Sequence, residues 1–122
     1  MAGVETVLDA GPIPYEQILL YGDPDLEHGL RHVGLEPAET FFRLIEIPLD
    51  TIRDVRTMPW PNRGHAYADL LREGTEFPPI VVMRIETGWT LIDGVNRSHA
   101  YLALGWKTVR AYELIEASHA IL

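Results

Sequence analysis

The clearest alternation of apolar and polar positions lies in the second half of the chain. Ile80-Val81-Val82-Met83-Arg84-Ile85 is a β-branched apolar run, Trp89-Thr90-Leu91-Ile92 is another, and Glu86-Thr87-Gly88 between them is turn chemistry. The pattern predicts a β-hairpin. Asp93-Gly94 then halts the second strand, and residues 95–104 run at helical spacing up to Gly105, which suits a left-handed helix stop. Residues 107–114 alternate again, with Val109, Ala111 and Glu113 on one side and Thr108, Arg110 and Tyr112 on the other, which predicts a last strand.

The first half carries weaker rhythm. Residues 41–49 are apolar and β-prone, interrupted by Arg43 and Glu46, and Pro48 closes them because it lacks a ladder donor. Ile52 and Val55 stand at helical spacing. Met58-Pro59-Trp60-Pro61-Asn62-Arg63-Gly64 reads as a loop, since its prolines forbid regular structure. Residues 66–73 predict a short helix with Tyr67, Leu70 and Leu71 on one side, closed by Gly74. Ahead of residue 41, Pro12 and Pro14 break any early element, Ile18-Leu19-Leu20-Tyr21 fits a short strand or a helix end, and Gly22-Asp23-Pro24 is a turn. Asp23-Pro24-Asp25-Leu26-Glu27 has the order of a helix N-cap with proline at the first helical position, and Gly34 ends that helix. The expected organisation is an extension with a short helix over 1–40, one α+β domain over 41–116, and a tail over 117–122.

Composition narrows the function classes. The 122 residues, 47% hydrophobic, suffice for one ordinary core. No run of about 18 apolar residues occurs, and Met1-Ala2-Gly3-Val4-Glu5 lacks the basic start of a signal peptide, so a cytoplasmic protein with no membrane partner is expected. The absence of cysteine excludes disulfides, thiolate metal sites and a cysteine nucleophile. Ten Lys and Arg against eighteen Asp and Glu give a formal charge of -8, which opposes non-specific binding to a nucleic acid.

The strand, turn and helix from Trp89 to Gly105 carry the candidate chemistry. Where the strand stops and the helix starts, backbone N–H groups lack partners and the helix dipole is positive, so Asp93-Gly94-Val95-Asn96-Arg97 can hold an anion. Gly94 would let a phosphate approach the backbone, Arg97 would grip it with a planar fork, and Asn96 and Ser98 would add neutral donors. Taken alone, Asp-Gly before a helix is more often an ordinary cap with a permissive glycine.

The surrounding order adds to it. Leu44-Ile45-Glu46-Ile47-Pro48-Leu49, then Phe77-Pro78-Pro79-Ile80-Val81-Val82, then Asp93-Gly94-Val95-Asn96-Arg97-Ser98-His99-Ala100, then Leu104-Gly105-Trp106 and Val109-Arg110-Ala111, resemble the ParB/sulfiredoxin superfamily, as a single ParB N-terminal-like domain over residues 41–114. The most specific element is the strand followed by Gly94, Arg97 and Ala100 in a Gly-x-x-Arg-x-x-Ala box. The resemblance implies an α+β fold with a small mixed sheet and flanking helices, and phosphate binding at that box: CTP in partition proteins, ATP in sulfiredoxins, ADP or ATP in free-serine kinases. Three departures matter. Val95 stands where sulfiredoxins carry their cysteine, which excludes that reductase chemistry. Asn96 precedes Arg97 where partition proteins have adjacent arginines, and no DNA-reading helical domain or dimerisation tail follows, which argues against a clamp on DNA. Val55 and Arg56 stand where the free-serine kinases place a His-Glu pair, although a loop shift could hide a substitute.

Remaining side chains are weighed on the same terms. Asp93 would be the catalytic group and would hold a magnesium ion, inferred with the nucleotide, through water. Glu76, Pro79 and His99 could complete the pocket, and Glu73 could lend a carboxylate; for the glutamates surface charge is the plainer reading, and for His99 packing is. His28 and His32, four apart, read as a solvated helix face without a third ligand. Arg63 and His65 could belong to a lid, and Trp60 is either a plug over the core or a recognition residue. Three function classes follow: a nucleotide-binding protein acting as magnesium-dependent hydrolase or small-molecule kinase, a non-catalytic module for a homodimer or protein partner, and a DNA-acting nuclease-like protein.

Overall fold

A computed structural model describes residues 5–18, 24–57 and 64–115. The chain forms β1 (Thr6–Pro14), α1 (Tyr15–Ile18), α2 (Pro24–His32), β2 (Phe41–Pro48), α3 (Arg53–Thr57), α4 (Gly64–Arg72), β3 (Ile80–Ile85), β4 (Gly88–Asp93), α5 (Val95–Ala103) and β5 (Thr108–Ile115), with 3-10 turns at Pro37–Glu39 and Leu49–Thr51. The five strands make one mixed sheet in the order β1-β2-β5-β3-β4. Every neighbouring pair is antiparallel except β3 with β5. The protein is therefore α+β, as the alternation predicted.

Strand pleating sorts the side chains onto two faces. Ile45, Ile47, Ile80, Val82, Trp89, Val109 and Ala111 point to one, where Val55 of α3, Leu71 of α4 and Tyr101 of α5 cover them. Phe42, Val81 and Ile92 point to the other, covered by Tyr15 and Ile18 of α1 and Leu26 and Leu30 of α2. The sheet is thus sandwiched between α1–α2 and α3–α5. In β5, Val109, Ala111 and Glu113 are the buried set, the side assigned to them by their alternation. Gly29 is what lets α2 press onto the sheet: a Cβ there would stand 2.2 Å from the carbonyl oxygen of Ile92, at the end of β4.

The N-terminal segment differs from its sequence reading. Pro12 and Pro14 do not abolish an early element; Thr6–Pro14 is an edge strand on β2, with irregular register between Val7, Asp9 and Ile13. Prolines are tolerated because an edge strand need not donate on its outer side. β1, α1 and α2 are consequently part of the sheet and its core rather than an extension ahead of them. The loop at 58–63 with Trp60 and Arg63, the turn at Gly22 and Asp23, and the tail over 117–122 lie outside the described residues, as does the side chain of His65.

Glu113 is buried on the core face, and two arginines bracket it. Arg43, its cross-strand partner, donates from Nε to one carboxylate oxygen, and Arg84 Nε lies 3.4 Å from the other. Arg84 also donates to Glu5 at 2.8 Å and lies 4.2 Å over the Trp89 ring. That hydrogen bond holds the Glu5 carboxyl below its ordinary range. A buried carboxylate survives where such partners satisfy it. Among the described residues, no helix is long and apolar enough to cross a membrane.

Candidate functional site: the turn between β4 and α5

The turn follows from a conflict between two elements. β4 must end where α5 must begin, and Gly94 resolves this by taking φ 110°, ψ 25°, a left-handed conformation closed to most side chains. The Ser98 amide donates to the Gly94 carbonyl at 2.8 Å and closes the first helical turn. The amides of Val95, Asn96 and Arg97 come before that bond and have no intrahelical acceptor. They face the positive end of the α5 dipole. A cleft of about 230 Å³ opens here, lined by Ile92, Asp93, Gly94, Val95, Asn96 and Arg97, with Tyr67 of α4 as its far wall. Five of the residues singled out in the sequence thus meet at one opening.

Arg97 is oriented differently from its expected role. Its guanidinium is buried, with Nη1 donating to the carbonyls of Pro78 at 2.8 Å and Pro79 at 3.1 Å. Nη2 donates to Asp93 at 2.9 Å, in an ion pair whose side chains are 7% and 10% exposed. The fork expected to grip a ligand therefore fastens α5 to the segment entering β3. Pro78-Pro79 has no N–H to give a ladder, and its carbonyls are left for a side-chain donor. Only that dipeptide could have signalled the contact in the sequence.

Gly94 is likewise constrained by the protein itself. A Cβ would stand 2.6 Å from Cγ2 of Ile80 and 3.3 Å from Nη2 of Arg97, so what approaches this backbone closely is the first residue of β3. Ser98 is fully buried, and its Oγ has no hydrogen-bond partner among the described residues. His99 is buried too, and burial lowers its imidazole pKa, favouring the neutral form. Neither lines the cleft. Asn96 does, with its Oδ1 shielded and unpartnered among the described residues.

Glu76 and Pro79 line a second cleft, of about 280 Å³, with Phe77 and Trp106. Pro79 also shares a cavity of about 20 Å³ with Asp93 and Arg97. Glu73, His28 and His32 are exposed. No three His, Cys, Asp or Glu side chains gather as a metal cage among the described residues. Beside Val55 and Arg56, the acidic residue that a loop shift would offer is Asp54. It accepts from the Leu91 amide at 2.5 Å and the Thr90 hydroxyl at 2.7 Å, which fixes it to β4. Sequence reasoning missed Tyr67 as a cleft-lining residue, having only grouped it with Leu70 and Leu71 on one side of α4. Its ring lies 5.1 Å from that of Phe77.

This geometry can be set beside known proteins. The chain is similar to sulfiredoxin from Arabidopsis thaliana, with 27% identity, a TM-score of 0.47, and coverage of 57% of this chain and 82% of that one. It is also similar to the pNOB8-like ParB N-domain in two structures. The C2221 form gives 21% identity, a TM-score of 0.47, and 67% of this chain against 34% of that one. The other gives 21% identity, a TM-score of 0.48, and 70% against 32%. The chain spans about a third of those ParB N-domain chains. No protein-family model and no curated protein matches the sequence. The likenesses found are thus to a sulfiredoxin and to ParB N-domains, the two kinds of protein whose superfamily the box resembles.

Proposed function

We propose that this chain binds the phosphates of a nucleotide of the ATP, ADP or CTP class at the first turn of α5. The observation that supports this most is the cleft lined by Val95, Asn96 and Arg97, the residues whose amides lack an intrahelical acceptor. The Gly-x-x-Arg-x-x-Ala box lies on that turn, so its resemblance and the geometry coincide. The anion is held by backbone N–H groups and the helix dipole, with the Asn96 amide beside them; Arg97 acts indirectly, by holding the turn in shape.

The proposal is one of binding rather than hydrolysis or transfer. Asp93, the expected catalytic group and magnesium ligand, is paired with Arg97 and mostly buried, which leaves it poorly placed to take a proton or coordinate a cation. The residues of the turn do not fit a resident magnesium ion. An ion arriving with a nucleotide would be held chiefly by the phosphates themselves. Nucleic acid is the less favoured polyanion. The net charge is -8, and Arg31, Arg43, Arg72, Arg84 and Arg97 are all paired with carboxylates.

A thermal-shift panel of ATP, ADP, CTP and pyrophosphate, with and without magnesium, tests the reading. A ligand at about 100 times its dissociation constant adds roughly 2.7 kcal/mol, or about 10 °C for a domain of this size. The control variant is Val95→Asp, which puts a carboxylate in the first helical turn, where it favours the helix and repels an anion. The response should vanish in that variant while its unliganded melting temperature stays within a few degrees of the parent. A parent protein unmoved by any of the four anions overturns the proposal.

A further inference from the structure

The second cleft has a charge arrangement that the turn does not share. It forms because β3 begins at Ile80, opposite Ala111, so Thr108, Val109 and Arg110 of β5 have ladder partners on the β2 side and none on the β3 side. The irregular segment 73–79 crosses that gap. The cleft's apolar lining comes from Leu71, Phe77, Val109 and the Trp106 indole. Trp106 is 44% exposed yet held firmly, stacked on the buried Tyr101 ring with centroids 4.3 Å apart and 26° between the planes. An aromatic surface that is rigid before binding loses little entropy when a ligand covers it.

Two charged side chains of opposite sign, Arg110 and Glu76, line the same opening. Both are exposed, and among the described residues neither takes part in a salt bridge, with each other or with a third group. Arg110 stands opposite Glu46 in the β2–β5 ladder, but no ion pair closes there. Its charge is felt instead by the Tyr101 phenol, whose pKa is raised by burial and drawn back by Arg97 and Arg110. Arg110, Tyr101 and Trp106 line the same cleft. A cation and an anion that do not neutralise one another, in a cleft also lined by apolar side chains, complement a ligand carrying both charges and an apolar group.

We infer that this cleft binds a small zwitterion with an apolar or aromatic side chain, an α-amino acid of the phenylalanine or leucine type. Arg110 takes the carboxylate, Glu76 the ammonium group, and the Phe77, Leu71 and Trp106 surface the side chain. The volume of about 280 Å³ is at the small end of ligand pockets, near the ~300 Å³ at which such sites begin. The site does not depend on the proposed nucleotide site: the two clefts share no lining residue.

Nuclear magnetic resonance titration of the full chain tests this with three probes of one shape: L-phenylalanine, 3-phenylpropanoate lacking the amine, and phenethylamine lacking the carboxylate. L-phenylalanine should shift the amides of Glu76, Phe77, Trp106 and Arg110, and bind about tenfold more tightly than either singly charged probe. Arg110→Gln should remove its advantage over phenethylamine, and Glu76→Gln its advantage over 3-phenylpropanoate; both positions are exposed, so folding is retained. No shift at these amides with about 10 mM phenylalanine, equal affinity for all three probes, or shifts confined to Val95, Asn96 and Arg97 overturns the inference. A failed nucleotide screen leaves it untouched, because the amides that report the two sites differ.

Discussion

Arg97→Lys separates a residue that holds the turn from one that holds a ligand. The guanidinium reaches the two proline carbonyls and Asp93 at once, at 2.8, 3.1 and 2.9 Å. A lysine ammonium keeps the charge but is a point on a shorter stem, and it cannot serve both groups from one position. One charge-assisted hydrogen bond and one buried carbonyl are then lost, at roughly 1.5–3 and 1–3 kcal/mol, so a net cost of about 2–4 kcal/mol is expected. Against a total stability of about 5–15 kcal/mol this is a large fraction. Urea unfolding followed by circular dichroism should show a midpoint lower by about 1–3 M, with the slope near the usual 1–3 kcal/mol/M. Arg97→Met removes the cation altogether and should cost about 3–5 kcal/mol, because Asp93 is left buried without its partner. Adding Asp93→Asn to Arg97→Met should recover part of that loss, with a coupling energy above about 1 kcal/mol in the double-mutant cycle. An unchanged midpoint for Arg97→Lys together with at least tenfold weaker nucleotide binding would refute the reasoning and return the guanidinium to the ligand.

Three further outcomes follow from the same region. Gly94→Ala should lower stability by about 2–4 kcal/mol in chemical denaturation, since it adds left-handed strain to the 2.6 Å contact with Ile80; a loss below about 1 kcal/mol would mean that the turn relaxes freely. Ser98→Ala should be neutral or raise the melting temperature by a few degrees, because it deletes a buried hydroxyl with no hydrogen-bond partner among the described residues; a marked drop would reveal a partner. His99 is held neutral by burial, so its folded pKa lies below the 6.5 of the unfolded chain. Protons then bind the unfolded state first, and stability should fall as pH drops below about 6.5. His99→Gln should flatten that slope when urea midpoints are compared between about pH 7.5 and 5.5.

How much was legible depends on whether the controlling contact was local. The hairpin, α5, its stop at Gly105 and the two faces of β5 were visible because period-two and helical spacing, with glycine at positive φ, act within a few residues. The turn between β4 and α5 was visible for the same reason. β1 was not: its strandedness comes from pairing with β2, more than 25 residues away, and its two prolines signal the opposite. The direction of Arg97 was hidden because Pro78 and Pro79 lie 19 and 18 residues before it, and nothing in local spacing says that a guanidinium will choose carbonyls over an anion. Glu76 and Pro79 were placed beside the box by sequence proximity to β3, whereas the late start of β3 on β5 puts Glu76 in a separate cleft.

The strand order has a consequence for biogenesis. β5 is the last strand among the described residues, yet it lies in the middle of the sheet and joins β2 on one side to β3 on the other. Until it emerges from the ribosome, β1 with β2 and β3 with β4 are separate two-stranded ribbons, each marginal in water. Synthesis at about 5–20 residues per second exposes the first ribbon's unpaired β2 edge for several seconds before its partner exists. The sheet therefore closes only when Thr108–Ile115 inserts between the ribbons. During that interval the open β2 edge, with Phe42, Ile45 and Ile47 beside it, is the natural client surface for a chaperone.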